Sequence, residues 1–564
     1  MKYTSQELAL GILSASIFPI GFVVIYFQLD SLQWCVFACT NAEVAMKPTI
    51  RTHLSIFYAL LMWTAIMTLL VTKVNLLKRT FSMTIIPKSM ASLAEISWFL
   101  VMLVTLFVAG MVNYNAVYDL HRRSWSTVGK PSQALAFKTL FHSTGDCLAF
   151  LFGLIMLPVS KNSFLATFFN MPYTSLIRVH TWMGRIFFWL SLVHLSCGMT
   201  MYVLLKQTPM LVWGHTILEN VLSSFNFLLF LASIINSLAY FRRRWYNTFY
   251  FVHSMIFIFI ALACVHAPSN MYYLLPGVFL YFIDGLIRLS SKFSKDTITS
   301  VQFESCGYIS VTVSTTKATN AKPGQFMRLC FPAVSHLEFH PLSIAKANEN
   351  RVTFMFAPSK DETQWAGKVA KILTTFATVG SSKMPIVHLQ GPYGREIEVA
   401  AESEKYNTVV FYVGGTGVAA CARAVNRVLR RNRDSLDGKQ TKVLVVWSCP
   451  YSKMESLSHI QPWISKRDGF RDYTVVELFE TGQKSSQKLT KQLSRNMFHT
   501  KHRADLRDLL RKHIQLSDFG VMQNVGLFVC GPAAFTMAAL KSVDAFEQEN
   551  KGVRVTVEVE SFDL

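Results

Sequence analysis

The sequence predicts a multi-domain membrane protein: an all-α transmembrane bundle with a six-helix core and two further N-terminal helices, then a small β-barrel, then a doubly wound α/β domain. Three observations predict this. Apolar runs long enough to cross a bilayer recur as far as about Phe293. From there, alternating segments such as ITSVQF, YISVTVS and RVTFMF read as short strands. Beyond residue 400 the apolar runs become continuous, as in buried parallel strands, and they alternate with helix-like segments. The expected domains are 1–92, 93–290, 291–400 and 401–564.

Bulk composition agrees. Hydrophobic residues make up 51% of the 564 positions, and they concentrate in the first half. The net charge is +21, from 55 basic and 34 acidic residues. Nucleic acid is one partner for such a balance. Membrane proteins, however, gather Lys and Arg in cytoplasmic loops, and lipid headgroups are anionic, so no nucleic-acid partner is expected. The ten cysteines form no CxxC…CxxC pattern, which argues against structural zinc.

Eight spans are expected, near Leu8–Phe27, Leu54–Val74, Leu93–Val112, Leu140–Val159, Leu176–Leu205, Ile217–Tyr240, Tyr246–His266 and Met271–Ile287. Lys2 ahead of the first run also suits a signal peptide, but its length and the lack of a small-residue cleavage site favour an uncleaved helix. Lys73, Lys78, Arg79 and Lys88 fall on one side of the membrane, with Lys161, Arg178 and Arg242 to Arg244. That side is expected to be the cytosol, and the second half of the chain follows it there. His121, Arg122, Arg123, Lys130 and Lys138 fall on the outer side, where a basic surface suits anionic metal chelates or a haem propionate. Which membrane is involved is not legible in the sequence.

Two spans carry paired histidines. His180 and His194 are fourteen residues apart, and His253 and His266 thirteen. Ionisable groups inside a membrane are costly and point to function. Imidazole is a haem iron ligand. At about 1.5 Å per residue each pair spans roughly 20 Å, so two helices with matched pairs predict two stacked haems. The expected pairing is His180 with His253 near the cytosolic face and His194 with His266 near the outer face. At about 100° per residue, fourteen residues return to nearly the same helix face and thirteen do not. A winding irregularity is therefore expected between His253 and His266.

In the second half, KPGQFMRLCFP (Lys322 to Pro332), FHPLSI (Phe339 to Ile344) and GPYG (Gly391 to Gly394) punctuate the strand-rich segment. TVVFYV (Thr408 to Val413) then runs into GGTG (Gly414 to Gly417) and a helix. Glycines between a strand and a helix let backbone N–H groups approach a phosphate. Further strands are expected at Lys442–Trp447, Tyr473–Leu478 and Val525–Val529, the last ending in CGP. Gln483 to Arg511 reads as a polar, basic, mobile loop.

The order of these motifs resembles the ferric reductase and NADPH oxidase family of transmembrane flavocytochromes b, over about Leu93 to Leu564. The resemblance implies FAD, NADPH and two b-type haems as cofactors. It implies that His180, His194, His253 and His266 are axial haem ligands. His340, Pro341, Leu342 and Ser343 match the flavin-binding motif, with Ser343 beside the reactive ring. Gly391, Pro392 and Tyr393 match a segment near both nucleotides. Gly414, Gly415, Thr416 and Gly417 match the NADPH pyrophosphate loop, and Cys530, Gly531 and Pro532 the nicotinamide end. Phe562 resembles the aromatic residue that covers the flavin, and Trp365 an aromatic-containing turn. The strand FMFAPSK lacks the usual mid-strand basic residue, with Lys346 or Lys360 as the expected substitute. The activity implied is electron transfer from cytosolic NADPH to ferric or cupric chelates across the membrane; the alternative is reduction of oxygen to superoxide. No EF-hand pattern is present.

Overall fold

A computed structural model describes residues 52–64, 66–67, 84–86, 91–125, 132–159, 173–206, 217–267, 269–291, 296–336, 338–359, 361–379, 385–394, 396–435, 440–464, 473–481, 489–514 and 522–561. The first apolar run, Lys73, Lys78, Arg79, Lys88, Lys130, Lys161, Lys360 and Phe562 lie outside these residues. The chain forms two compact units that divide between Gly285 and Leu286.

The first unit is helical. After a helical segment at residues 52–64 come α1 (Leu93–Trp125), α2 (Ser132–Met156), α3 (Tyr173–Leu204), α4 (Ile217–Ser237), α5 (Tyr246–Ser254), α6 (Ile256–His266) and α7 (Asn270–Ser291). Among the described residues, five helices are long and apolar enough to cross a membrane: Glu95–Arg123, Ser132–Val159, Ser175–Leu204, Tyr246–His266 and Asn270–Leu289. Phe225–Ser237 is a shorter apolar helix. The expected span Ile217–Tyr240 breaks at Leu238, which is extended (ψ 140°) before a short helix at Ala239–Arg244.

Helices α1 and α2 run longer than their hydropathy suggested. His121, Arg122, Arg123 and Lys138 therefore lie on helices, and not in the expected outer loop. Helical hydrogen bonding does not require apolar side chains, and polar residues here find partners across the helix pair. Asn113 on α1 donates to Asp146 on α2 at 2.7 Å. The buried carboxylate of Glu95 pairs with Arg178 at 2.6 Å and accepts from Ser175, tying α1 to α3. Close packing of α2 on α7 requires Gly153, where a Cβ would lie 2.5 Å from the Tyr273 carbonyl oxygen.

The expected winding irregularity is observed. Met255, between α5 and α6, has ψ −2°, and its N–H donates to Val252 O at 3.1 Å. The Ile258 N–H in turn reaches the Met255 carbonyl at 2.9 Å. Such i→i+3 bonds belong to a tighter turn, which adds rotation per residue.

The second unit begins with a closed antiparallel barrel. Its strands are β1 (Asp296–Phe303), β2 (Ile309–Ser314), β3 (Phe326–Cys330), β4 (His340–Asn348), β5 (Arg351–Phe356) and β6 (Ile386–Tyr393), in the order β1-β2-β5-β4-β3-β6. Alternate residues such as Val311, Val313, Met327, Leu329 and Phe354 fill its interior, as the period of two requires. Helix α8 (Trp365–Val379) packs on this core through Val369 and Leu373.

A seven-stranded sheet follows: β7 (Thr408–Gly414), β8 (Lys442–Cys449), β9 (Thr474–Glu480), β10 (Leu489–Ser494), β11 (Met497–Lys501), β12 (Gln523–Gly531) and β13 (Val553–Ser561), in the order β10-β11-β9-β8-β7-β12-β13. Only the β10–β11 pair is antiparallel. Apolar layers cover both faces, as a doubly wound sheet demands. The supposed loop at Gln483–Arg511 is mostly ordered structure. It holds β10, β11 and the start of α10 (Leu506–His513), whose Leu506, Leu509 and Leu510 are buried. Its polar composition reflects an edge strand and a helix with one apolar face.

Candidate functional site

In the first unit the four histidines form two facing pairs. The rings of His180 on α3 and His253 on α5 have centroids 6.1 Å apart and planes at 85°. Those of His194 on α3 and His266 on α6 are 6.4 Å apart at 84°. A metal–imidazole bond of about 2.0 Å plus roughly 1.1 Å to the ring centre places two trans ligands about 6.2 Å apart. Both pairs match that separation. Each pair offers two imidazoles, and among the described residues no three His, Cys, Asp or Glu side chains gather around one point. A porphyrin supplies four nitrogens in the plane between two imidazoles.

Partners on neighbouring helices orient the rings. His180 Nδ1 lies 3.1 Å from Ile155 O, and His194 Nδ1 lies 2.9 Å from Phe141 O. A carbonyl only accepts, so both Nδ1 atoms carry the proton and each Nε2 is left as the lone-pair nitrogen. His253 Nδ1 is 3.0 Å from Ser233 Oγ on α4. Phe141 stacks on His194 at 4.3 Å. Gly145 admits that ring, since a Cβ there would lie 3.1 Å from its Cε1. Gly184, one turn beyond His180, faces open space within 4 Å, room of the kind a macrocycle needs. Between the two levels lies an apolar layer of Phe152, Phe187, Phe230 and Phe259, with neighbouring rings 5.1–5.4 Å apart.

In the second unit the predicted motifs gather at strand ends. His340 opens β4 and stacks on Trp365 at 4.1 Å and 23°. Burial pushes the His340 imidazole below its ordinary pKa; Glu338 opposes this and Arg328 reinforces it. Ser343 is paired across the ladder with Phe326, whose ring lies 5.8 Å from Tyr393. Gly391 (φ +117°) and Gly394 (φ +86°) take left-handed turns that bring the end of β6 to this edge. Arg328, which sequence reasoning missed, lies beside Pro341 in register and donates to Phe339 O at 3.0 Å. Along the ladder Arg328 pairs next to His340, whereas the exposed Lys346 pairs with Thr353 further on.

The GGTG turn lies at the end of β7, where chain order reverses: β8 lies on one side and β12 on the other. Such a switch point opens a crevice at the carboxyl ends of the strands. Gly415 (φ +56°) turns the chain, and its carbonyl is pinned by Trp447 Nε1 at 2.8 Å. Gly417 starts α9 (Gly417–Asp434) against Cys530, where a Cβ would sit 3.1 Å from both the carbonyl oxygen and Sγ. The helix thus starts at this end of the sheet, where N-terminal N–H groups can meet a phosphate. Cys530 is fully buried; burial first, then Glu560 and Cys421, hold its thiol well above the ordinary range. Gly531 and the exposed Pro532 follow at the rim, before α11 (Ala533–Glu549). Glu304 of the barrel accepts from Ser310 Oγ at 3.0 Å and from Ser458 N at 3.2 Å, fixing barrel to sheet.

Comparison with known proteins agrees with both halves. Residues 144–264 match the model described as "Ferric reductase like transmembrane component", and residues 293–397 match an "FAD-binding domain". Over these segments the chain is similar to the ferric reductase and NADPH oxidase family. Among its relatives, ferric reduction oxidase 8, mitochondrial, of Arabidopsis thaliana is 24% identical over 50% of this chain and 39% of its own. A superoxide-generating NADPH oxidase heavy chain of Dictyostelium discoideum is 21% identical over 62% of this chain and 52% of its own. The chain therefore spans about two fifths to one half of these relatives. A ferredoxin NADP+ reductase from Neisseria gonorrhoeae with bound FAD and NADP aligns with 47% of this chain and 98% of its own, at 12% identity and a TM-score of 0.33.

Proposed function

We propose that this protein carries electrons from cytosolic NADPH through FAD and two b-type haems to an acceptor beyond the membrane, acting as a ferric- or cupric-chelate reductase. The observation that carries the proposal is the separation of the two imidazole pairs, 6.1 and 6.4 Å, at the value for trans ligation. When bound, NADPH and FAD supply a hydride and its division into single electrons, and the haems pass those electrons on one at a time.

The chain's own residues do the positioning. His180 and His253 would hold one haem and His194 and His266 the other, with His180, His194 and His253 aimed by their Nδ1 partners. Because these four imidazoles would hold the haems, an acceptor would take its electron without binding to iron. His340, stacked on Trp365, holds the flavin, and Ser343 places a small hydroxyl beside the reactive ring. The GGTG turn and the start of α9 hold the NADPH pyrophosphate, and Gly531 and Pro532 border the nicotinamide. Cys530 is a positioning residue there, because its buried thiol seats Gly417. The resemblance assigns Phe562 the flavin-covering role.

The test is purified protein with NADPH, offered ferric chelate or oxygen. Iron reduction that superoxide dismutase leaves unchanged supports the metalloreductase. Dismutase-sensitive reduction supports an oxidase, the activity named for the Dictyostelium relative. His194→Ala is expected to remove one haem's absorbance and abolish acceptor reduction.

A further inference from the structure

A third histidine pair lies outside the two described above. His121 near the end of α1 and His142 on α2 have ring centroids 5.0 Å apart at 48°. The same bond lengths that put trans imidazoles about 6.2 Å apart put two imidazoles meeting near the tetrahedral angle at about 5 Å. The pair therefore has the spacing of two adjacent ligands on one metal ion. His121 is 7% exposed and His142 half-buried. Phe141 lies 5.5 Å from His142 on one side and stacks on His194 at 4.3 Å on the other. An unbroken row of rings thus runs from the histidine pair assigned to the outer haem to this third pair. Lys138 lies one turn from His142 and interacts electrostatically with both rings, and Arg122 and Arg123 are exposed beside His121.

We infer that His121 and His142 form a docking site for the acceptor metal, a cupric ion held by two imidazoles with its remaining positions open to water or its own anionic chelator. Imidazole suits copper, which stands at the top of the divalent affinity order. Two protein ligands bind loosely enough for turnover, whereas a three- or four-ligand cage would retain the ion. The nearby cations favour a metal that arrives with an anionic ligand. Each bound Cu(II) takes one electron and leaves as Cu(I). Two such reductions consume one NADPH, giving NADP+ and one proton. The electron supply rests on the function proposed above; the binding of the metal does not.

Copper(II) added to the full-length, haem-loaded protein tests this by electron paramagnetic resonance. One bound ion coupled to two imidazole nitrogens is expected. His121→Gln and His142→Gln should each remove one nitrogen coupling and weaken binding at least tenfold, with the Soret band unchanged. In turnover with a cupric chelate, KM should rise about tenfold or more while kcat stays within about twofold. The inference is overturned if the unmodified protein shows no two-nitrogen copper signal, or if both variants keep it. It is also overturned if KM is unmoved, or if the variants lose haem absorbance together with kcat. Absence of reduction with every acceptor would instead defeat the proposed function, and the resonance spectrum would still decide the metal site.

Discussion

Gly145 offers the sharpest test of the outer haem assignment, because it touches the site without supplying a ligand. A Cβ at this position would lie 3.1 Å from His194 Cε1 and 3.5 Å from Nδ1. Carbon contacts relax at about 3.5–4.0 Å, so the ring must retreat by roughly 0.4 Å or more. Phe141 leaves little freedom, since its ring stacks on the imidazole at 4.3 Å and its carbonyl holds Nδ1 at 2.9 Å. Overpacking of this kind costs about 1–3 kcal/mol, equivalent to roughly 5- to 150-fold in the retention of a group held by that ring. Gly145→Ala should weaken one of the two haems and shift its midpoint potential. Gly145→Val should leave about one haem per chain, with the His180–His253 site still filled. The assay is haem content by pyridine haemochrome, with a redox titration of the α-band. A Gly145→Val protein with two haems and unshifted potentials would show that His194 is not a ligand.

Gly417→Ala should raise KM for NADPH about tenfold, because the new methyl must displace the Cys530 carbonyl or thiol; flavin content should be unchanged, as fluorescence after denaturation will show. Trp365→Ala removes the ring stacked on His340 and should release FAD on gel filtration, with NADPH oxidation restored only by added FAD. The His340 pKa is depressed in the folded state, so the unfolded chain binds more protons as pH falls below the ordinary value of 6.5. Its contribution to stability is therefore full above that pH and declines below it, and a His340→Gln variant should show a flatter acid limb in thermal melts of the flavin-loaded protein. Asp505 caps α10 by accepting from Arg507 N and Asp508 N, so Asp505→Ala should cost about 1 kcal/mol, read as an earlier denaturant midpoint.

Residues adjacent in the chain carried most of what could be read in advance. Continuous apolar runs and the change to alternation at about residue 296 locate the bundle and the barrel, because helix and strand periodicity are local properties. HPLS is a short strand segment, and GPYG and GGTG are turns set by their own residues, with positive φ at Gly391, Gly394 and Gly415. The thirteen-residue spacing of His253 and His266 foretold the tight turn at Met255, since helix geometry alone makes the faces disagree. Leu506, Leu509 and Leu510 carried a helical signal too, masked by the charged residues around them.

Distances between remote segments had no such local trace. The 6.1 and 6.4 Å ring separations arise because α3 packs opposite α5 and α6, which follow it by more than forty residues. Hydropathy ended α1 before His121 and started α2 after Lys138, so the approach of His121 to His142 was invisible until both helices were seen to continue through their polar ends. Ser233, Gly145 and Arg328 matter for the same reason: each acquires its role from a neighbour on another element. A side chain's chemistry is fixed by its own bonds, but whether two imidazoles can share one metal depends on packing between helices, and that is decided by the folded chain as a whole.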